Sequence, residues 1–357
     1  MQFYTKDLKD LLKQANYLHC KKGLRFFWIV VNGSKTVQVN YTNLIEWFCA
    51  EIDTVQFNAD NENYIGSYII PFDLFRDAVS TNKSDVIDIG ITSKVLIVQN
   101  VFVEYKSDKA DLPERLIYLA DTYKKNKLFT IPFFEASYQF AKDYISLDDS
   151  RRVMHGIYFD KTKNSVVGTD GKRMGFFETS LHGITESFIL PLNKFLNSVR
   201  DVNNCYYQLV KRNNNDAAVI AVYGETWSYY TSTISGQYPN YRAVIPSDDR
   251  LKETLQFSKK DIESIINFIG MNKKANLMDF VFSGEIHYRK CSVKIGSHEL
   301  LLTNNYYSTL EVISFNPALL MPFLNAGYTD YKNCGDFAPY VAKLNNKTSV
   351  IMPMRNR

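Results

Sequence analysis

The polar residues of this chain offer two candidate chemistries. Asp148, Asp149 and Asp170 could gather as a carboxylate cluster around a metal ion, and His19, His155, His182, His287 or His298 could serve as a general base. Their settings argue against both. Asp148-Asp149 follows an amphipathic segment and belongs to a loop, while Asp170 sits in Thr169-Asp170-Gly171, where an aspartate side chain braces its own turn. No Gly-x-x-x-x-Gly-Lys, Gly-x-Ser-x-Gly or His-Glu-x-x-His occurs. Cys20, Cys49, Cys205, Cys291 and Cys334 are odd in number and scattered, without Cys-x-x-Cys spacing or a histidine at ligand distance, which fits free thiols and not a structural zinc. The expectation is a protein with no catalytic residues, no metal and no cofactor.

Binding is the better-supported chemistry. Chain ends are usually polar and frayed, yet this one closes on Ser349-Val350-Ile351-Met352-Pro353-Met354-Arg355, an apolar run ended by one arginine. Such a segment reads as one wall of a groove, continuing an edge strand that lies upstream of Val350. Its counterparts far back in the chain are Thr169-Asp170-Gly171-Lys172-Arg173-Met174 and Ser235-Gly236-Gln237-Tyr238-Pro239-Asn240-Tyr241. Methionine suits a surface that accepts several ligands, because its flexible thioether repacks easily.

The elements that must position these motifs show a threefold repeat. Tyr68 to Val79 aligns without a gap on Phe188 to Val199, and Val312 to Leu320 is a weaker third copy. Each copy reads as a short apolar strand followed by a proline and an amphipathic helix, with Leu74, Phe75, Ala78 and Val79 at helical spacing. Each third also opens on a helix. The first is Lys6 to Leu18, with Leu8, Leu11, Leu12, Ala15 and Leu18 on one stripe and Lys6, Lys9 and Lys13 away from it. The second spans roughly Pro132 to Ile145, and the third starts after an N-cap at Ser258. Hairpins are expected at Phe27 to Val31 with Thr36 to Val39, and at Ile157 to Phe159 with Ser165 to Val167. The period is too long for a solenoid and fits three α+β domains in tandem, residues 1–123, 124–248 and 249–357.

Composition sets bounds on this reading. With 45% hydrophobic and 22% charged residues the chain can build ordinary globular cores. No apolar run approaches the roughly 20 residues of a membrane span and the start has no apolar leader, so a cytoplasmic protein is expected. The formal net charge of +4 does not by itself mark a nucleic-acid binder. Distribution carries more information, with basic pairs at Lys21-Lys22, Arg151-Arg152, Lys259-Lys260 and Lys273-Lys274.

Taken in order, Asp149 to Gly156, Thr169 to Met174, Ile189-Leu190-Pro191, Gly236 to Pro246, Phe315-Asn316-Pro317 and Met352 to Arg355 resemble the bacterial sliding clamp, the beta subunit of DNA polymerase III. The resemblance covers essentially the whole chain. It implies three copies of a clamp domain, with antiparallel sheets outside and two helices per domain lining the hole of a head-to-tail homodimeric ring. The implied function is that of a non-catalytic processivity factor of the DNA polymerase holoenzyme. Such a ring encircles duplex DNA and recruits the replicative polymerase, clamp loader and repair proteins through short linear motifs. Carried over by motif, the peptide groove between the second and third domains comprises Met154, Thr169, Gly171, Lys172, Arg173, Met174, Pro239, Val244, Asn316, Leu319, Val350, Ile351, Met352, Pro353, Met354 and Arg355. Expected DNA contacts are Lys9, Lys13, Lys21, Lys22, Arg25, Arg76, Lys142, Arg151, Arg152, Lys194, Arg200, Lys259 and Lys260. These would form a diffuse phosphate-directed surface that reads no base sequence. Two departures mark a divergent member: Ala243 stands where many relatives carry a basic residue, and Leu192-Asn193 replaces a more basic helix start. The competing readings are a clamp-like paralogue that binds the same peptides without encircling DNA and, more remotely, a metal-dependent nuclease.

Overall fold

The structure is a computed structural model of the 357-residue chain. It describes residues 1–16, 26–31, 36–42, 46–56, 66–91, 95–98, 101–104, 128–192, 194–198, 206–211, 218–224, 226–251, 253–335 and 338–355. Leu18, Lys21, Lys22, Arg25, the Asn32-Gly33-Ser34 turn, the segment 121–127 and Arg200 lie outside the described residues.

Six α-helices are described: α1 Thr5–Ala15, α2 Phe72–Ser80, α3 Phe134–Lys142, α4 Lys194–Ser198, α5 Lys259–Met271 and α6 Pro317–Asn325. In α1 the buried residues are Thr5, Leu8, Leu11, Leu12 and Ala15, so the apolar stripe faces the core and the lysines face water, as its spacing requires. Pro71 ends the strand Gly66–Pro71 and leads directly into α2, which buries Phe72, Phe75 and Val79. The expected Pro132–Ile145 helix is shorter. It starts only at Phe134 because Phe133 adopts a left-handed conformation (φ 56°), and it gives way to a turn after Lys142. Ser258 caps α5 in a reciprocal capping box with Asp261.

By contacts the chain forms two compact units, residues 1–131, 183–185 and 193–233, and residues 132–182, 186–192 and 234–357. The first contains a seven-stranded antiparallel sheet in the order Tyr206–Lys211, Ala218–Tyr223, Trp227–Ser232, Glu46–Asp53, Thr36–Thr42, Phe26–Val31, Gly66–Pro71. Middle-third strands therefore continue a first-third sheet, with Trp227 opposite Ala50 and Thr231 opposite Glu46. Trp47 stacks on Tyr230 at 4.7 Å across that junction. A four-stranded sheet, Gln2–Tyr4, Val86–Ile91, Val95–Val98 and Val101–Glu104, completes this unit.

The second unit repeats the arrangement. Its eight-stranded sheet runs Phe188–Pro191, Gly156–Asp160, Ser165–Thr169, Arg173–Glu178, Lys347–Ile351, Tyr340–Leu344, Asp330–Asn333, Glu253–Gln256. Its four-stranded sheet runs His298–Tyr306, Arg289–Ile295, Met278–Ser283, Val312–Phe315. Among the strands of the last third, Lys347–Ile351 is the edge that the sequence leads one to expect, and the middle-third strand Arg173–Glu178 pairs with its outer side, so that in the whole sheet it is interior.

Candidate functional site: the C-terminal segment and the Thr-Asp-Gly turn

The turn between Ser165–Thr169 and Arg173–Glu178 is built from its own side chains. Asp170 Oδ1 accepts from the backbone N–H groups of Lys172 (2.8 Å) and Arg173 (2.9 Å), the bracing role its sequence context indicates. The Thr169 hydroxyl donates to the Arg173 carbonyl (2.7 Å) and accepts from the Gly171 N–H (3.1 Å). Gly171 has φ +84°, a left-handed conformation that glycine adopts without strain. Asp170 Oδ2 also takes the Arg173 Nε at 3.0 Å, and both side chains are mostly buried. Arg151 Nη1 donates to the Asp170 carbonyl at 2.7 Å from the other side.

Close packing sets the turn's height. Gly168 and Gly175 face each other across the two strands. A Cβ at Gly168 would lie 2.0 Å from the Ala141 carbonyl oxygen, and one at Gly175 would lie 2.4 Å from the Tyr144 ring. Only this pair of glycines lets the end of α3 lie directly on the sheet. The Tyr144 hydroxyl then meets the Ser349 hydroxyl at 2.6 Å, and Tyr328 reaches the same Ser349 oxygen at 2.9 Å. Burial pushes both tyrosine pKa values well above the ordinary range. The C-terminal strand is thus anchored through a buried serine flanked by two phenols.

Register brings the expected wall residues together. Arg173 pairs with Ile351 and Met174 with Val350. Val350 and Met174 join Val167, Phe176, Tyr238 and Tyr241 in one apolar cluster, whereas Ile351 belongs to a larger core that also takes in Phe140, Tyr144 and Phe177. Beyond the strand, the Met352 N–H donates to the Lys172 carbonyl (3.0 Å) and the Met354 N–H to the Ser314 carbonyl (2.8 Å). The last residues therefore bridge two sheets. Of the expected groove residues, Thr169, Met174, Val350 and Ile351 are buried. Met154, Arg173, Asn316, Leu319 and Pro353 are half-buried, and Gly171, Lys172, Pro239, Val244, Met352, Met354 and Arg355 are exposed. Val244 is 58% exposed and Met352 44%, large for apolar side chains beside a packed cluster.

The segment carrying Pro239 and Val244 is fixed by a residue that the sequence did not single out. Arg242 stacks over Phe176 at 4.6 Å and donates to the Ser165 hydroxyl at 2.9 Å, while the neighbouring Tyr241 hydroxyl donates to Asp160 at 2.9 Å. The signal available was the Tyr-Pro-Asn-Tyr-Arg run itself, which sets one arginine directly after a tyrosine. Asn316 was expected, and its place is an N-cap: Oδ1 accepts from the N–H groups of Ala318 and Leu319 at the start of α6.

The expected DNA contacts are heterogeneous. Lys13, Arg152, Lys194, Lys259 and Lys260 are exposed. Lys9 donates to the Asn82 carbonyl at 2.8 Å, and Lys142 to Gln139. Arg76 is held between Asp73 and Asp77, each at 2.8 Å, and Arg151 is occupied by the Asp170 carbonyl and by Asp148 at 3.5 Å. Asp148 accepts from Ser150 and Asp170 from Arg173, so neither carboxylate faces the other as a metal pair would. No helix among the described residues is long and apolar enough to cross a membrane.

No family model matches the chain. It is similar to the beta sliding clamp of Chlamydia muridarum, 22% identical over 316 residues that cover 81% of this chain and 81% of the relative. The beta sliding clamp of Helicobacter pylori strain J99 is 24% identical over 183 residues, 49% of this chain and 48% of the relative. Among solved structures, the Bartonella birtlesii sliding clamp bound to griselimycin superposes with a TM-score of 0.78 at 17% identity, covering 100% of this chain and 99% of that one. The H. pylori beta clamp bound to a DNA ligase peptide superposes with a TM-score of 0.76 at 16% identity, covering 99% of each chain. The fold shared over this full length is the α+β clamp fold expected from the motifs.

Proposed function

We propose, from the premise that this chain is a divergent bacterial-type sliding clamp, that it acts as a non-catalytic processivity factor of a replicative DNA polymerase. Two copies close head to tail around duplex DNA in the cytoplasm. Each copy recruits polymerase, clamp loader and repair proteins through a groove between residues 124–248 and 249–357, and residues 1–123 form the first of the three domains. The observation that carries this reading is the bridging C-terminal segment. Its strand is locked in a sheet interior, yet it delivers exposed Met352 and Met354, with half-buried Pro353 between them, beside the braced Thr-Asp-Gly turn. Apolar side chains held open on a rigid floor are what a partner's aromatic or leucine anchor requires.

The basic helix starts support the DNA half of the proposal. Lys259 and Lys260 occupy the first turn of α5, where the helix dipole disfavours cations by about 0.3–1 kcal/mol each. Stability does not call for them there, whereas phosphate contact does. Ring closure has candidate surfaces in the outer strands Val101–Glu104 and His298–Tyr306, each ending a four-stranded sheet with one side unpaired among the described residues. The test is loading onto nicked circular DNA, with release on linearisation and a solution mass of two chains. Peptide binding by a monomer that is never retained on circles would establish the paralogue reading instead, and metal-dependent cleavage of DNA would establish the nuclease.

A further inference from the structure

Helix α6 lacks one of its own hydrogen bonds. Pro322 lies inside it and has no N–H, so the Ala318 carbonyl has no donor four residues on. Arg173 stands at this gap. Its Nη1 lies 3.0 Å from the Leu319 carbonyl oxygen and 3.4 Å from that of Ala318, while Nε of the same guanidinium donates to Asp170 at 3.0 Å. The Tyr144 ring lies 5.8 Å from the guanidinium carbon, and the Arg173 side chain is only 12% exposed. Asp143, on the exposed turn after α3, also lies within electrostatic reach of this cation.

We propose that Arg173 is a positioning residue that sets the width of the peptide groove by tying the Thr169–Arg173 turn to the first turn of α6. This rests on the groove reading given above and assigns Arg173 a role other than contact with the peptide. Apart from the carbonyl that Pro322 leaves open, each wall is held by its own contacts. The turn is closed by Asp170 and Thr169, and α6 is capped by Asn316. The tail is joined to the turn through Met352 and Lys172. What Arg173 adds is the link between the turn, which carries Gly171 and Lys172, and the helix, which carries Asn316 and Leu319. The link needs a fork that donates in two directions at once, to a carboxylate and to backbone carbonyls. Lysine keeps the charge but has no such planar fork.

The test compares wild type with Arg173→Lys, Arg173→Gln, Pro322→Ala and the double variant Arg173→Gln/Pro322→Ala in the full chain, with solution mass and thermal melting checked for each. The probe is the fluorescently labelled DNA ligase peptide that the H. pylori clamp binds. Loss of one charge-assisted link is expected to weaken probe affinity about tenfold in both Arg173 variants. Pro322→Ala restores an N–H to Ala318, so Arg173→Gln is expected to weaken affinity by less in that background. Hydrogen exchange supplies a readout that needs no ligand: amides of residues 170–173 and 318–323 should exchange faster in Arg173→Lys, while those of Arg289–Ile295 stay unchanged. Wild-type affinity in Arg173→Lys, or unchanged exchange at both segments, overturns the link. If wild type binds no probe but Arg173→Lys shows faster exchange at both segments, the groove reading fails while the link stands.

Discussion

Deleting residues 352–357 separates the two roles the C-terminus could have. The cut leaves the strand Lys347–Ile351 intact, with both neighbouring strands and the Ser349 anchor in place. The backbone hydrogen bonds lost among the described residues include Met352 to Lys172 and Met354 to Ser314, worth together about 2 kcal/mol. Met352 and Met354 are 44% and 38% exposed, so a little over half of each is covered and the cut also forfeits that area, about 1–2 kcal/mol per side chain. A total loss of about 4–6 kcal/mol is tolerated by a domain in the upper part of the usual stability range of about 5–15 kcal/mol. The same cut removes the surface against which a partner's anchor would bury, worth about 1.5–3 kcal/mol, or one to two decades of affinity. Urea unfolding, solution mass and titration with a polymerase-derived peptide therefore give different answers for one variant. The expected result is a folded dimer, retained on circular DNA, with peptide affinity reduced at least tenfold. Unfolding or dissociation would show that the tail is structural, and a folded dimer with unchanged affinity would place recruitment elsewhere.

Three further outcomes follow from the same geometry. Ser349→Ala leaves the Tyr144 and Tyr328 hydroxyls without their shared partner in a buried site, and should lower unfolding free energy by about 2–4 kcal/mol, read from the urea midpoint. Gly168→Ala drives a Cβ onto the Ala141 carbonyl, a backbone atom that cannot rotate away, and should cost about 3 kcal/mol or more with loss of α3 amide protection. At Asp261, burial opposes ionisation, but hydrogen bonds from Ser258 and Asn304 help to outweigh it and hold the carboxyl below its usual pKa. Its contribution to stability is therefore complete above the unfolded value of about 3.9 and is lost as pH falls through the lower folded value. Acid unfolding of Asp261→Asn should start from a lower stability and show a shallower slope below about pH 4 than wild type.

The sequence by itself determined the local elements and which distant motifs meet. The strand–proline–helix units, the α1 stripe, the Ser258 cap and the bracing role of Asp170 are short-range consequences of side-chain chemistry, and they were readable at their own positions. Thr169 to Met174 and Val350 to Arg355 could be named as partners from motif order, although 170-odd residues separate them. Only the tertiary structure decided how they meet. That Lys347–Ile351 is an interior strand depends on a cross-domain pairing with Arg173–Glu178, and hydrogen-bond donors on a strand's two sides carry no sequence signature of which neighbour will take them. The division of the groove residues into buried and exposed has the same origin, since alternate residues of one apolar run enter different cores, Val350 one and Ile351 the other. Arg173 shows the limit most plainly. Its type announces a cation, but its work is set by a carbonyl that Pro322, far along the chain, leaves without a helical donor.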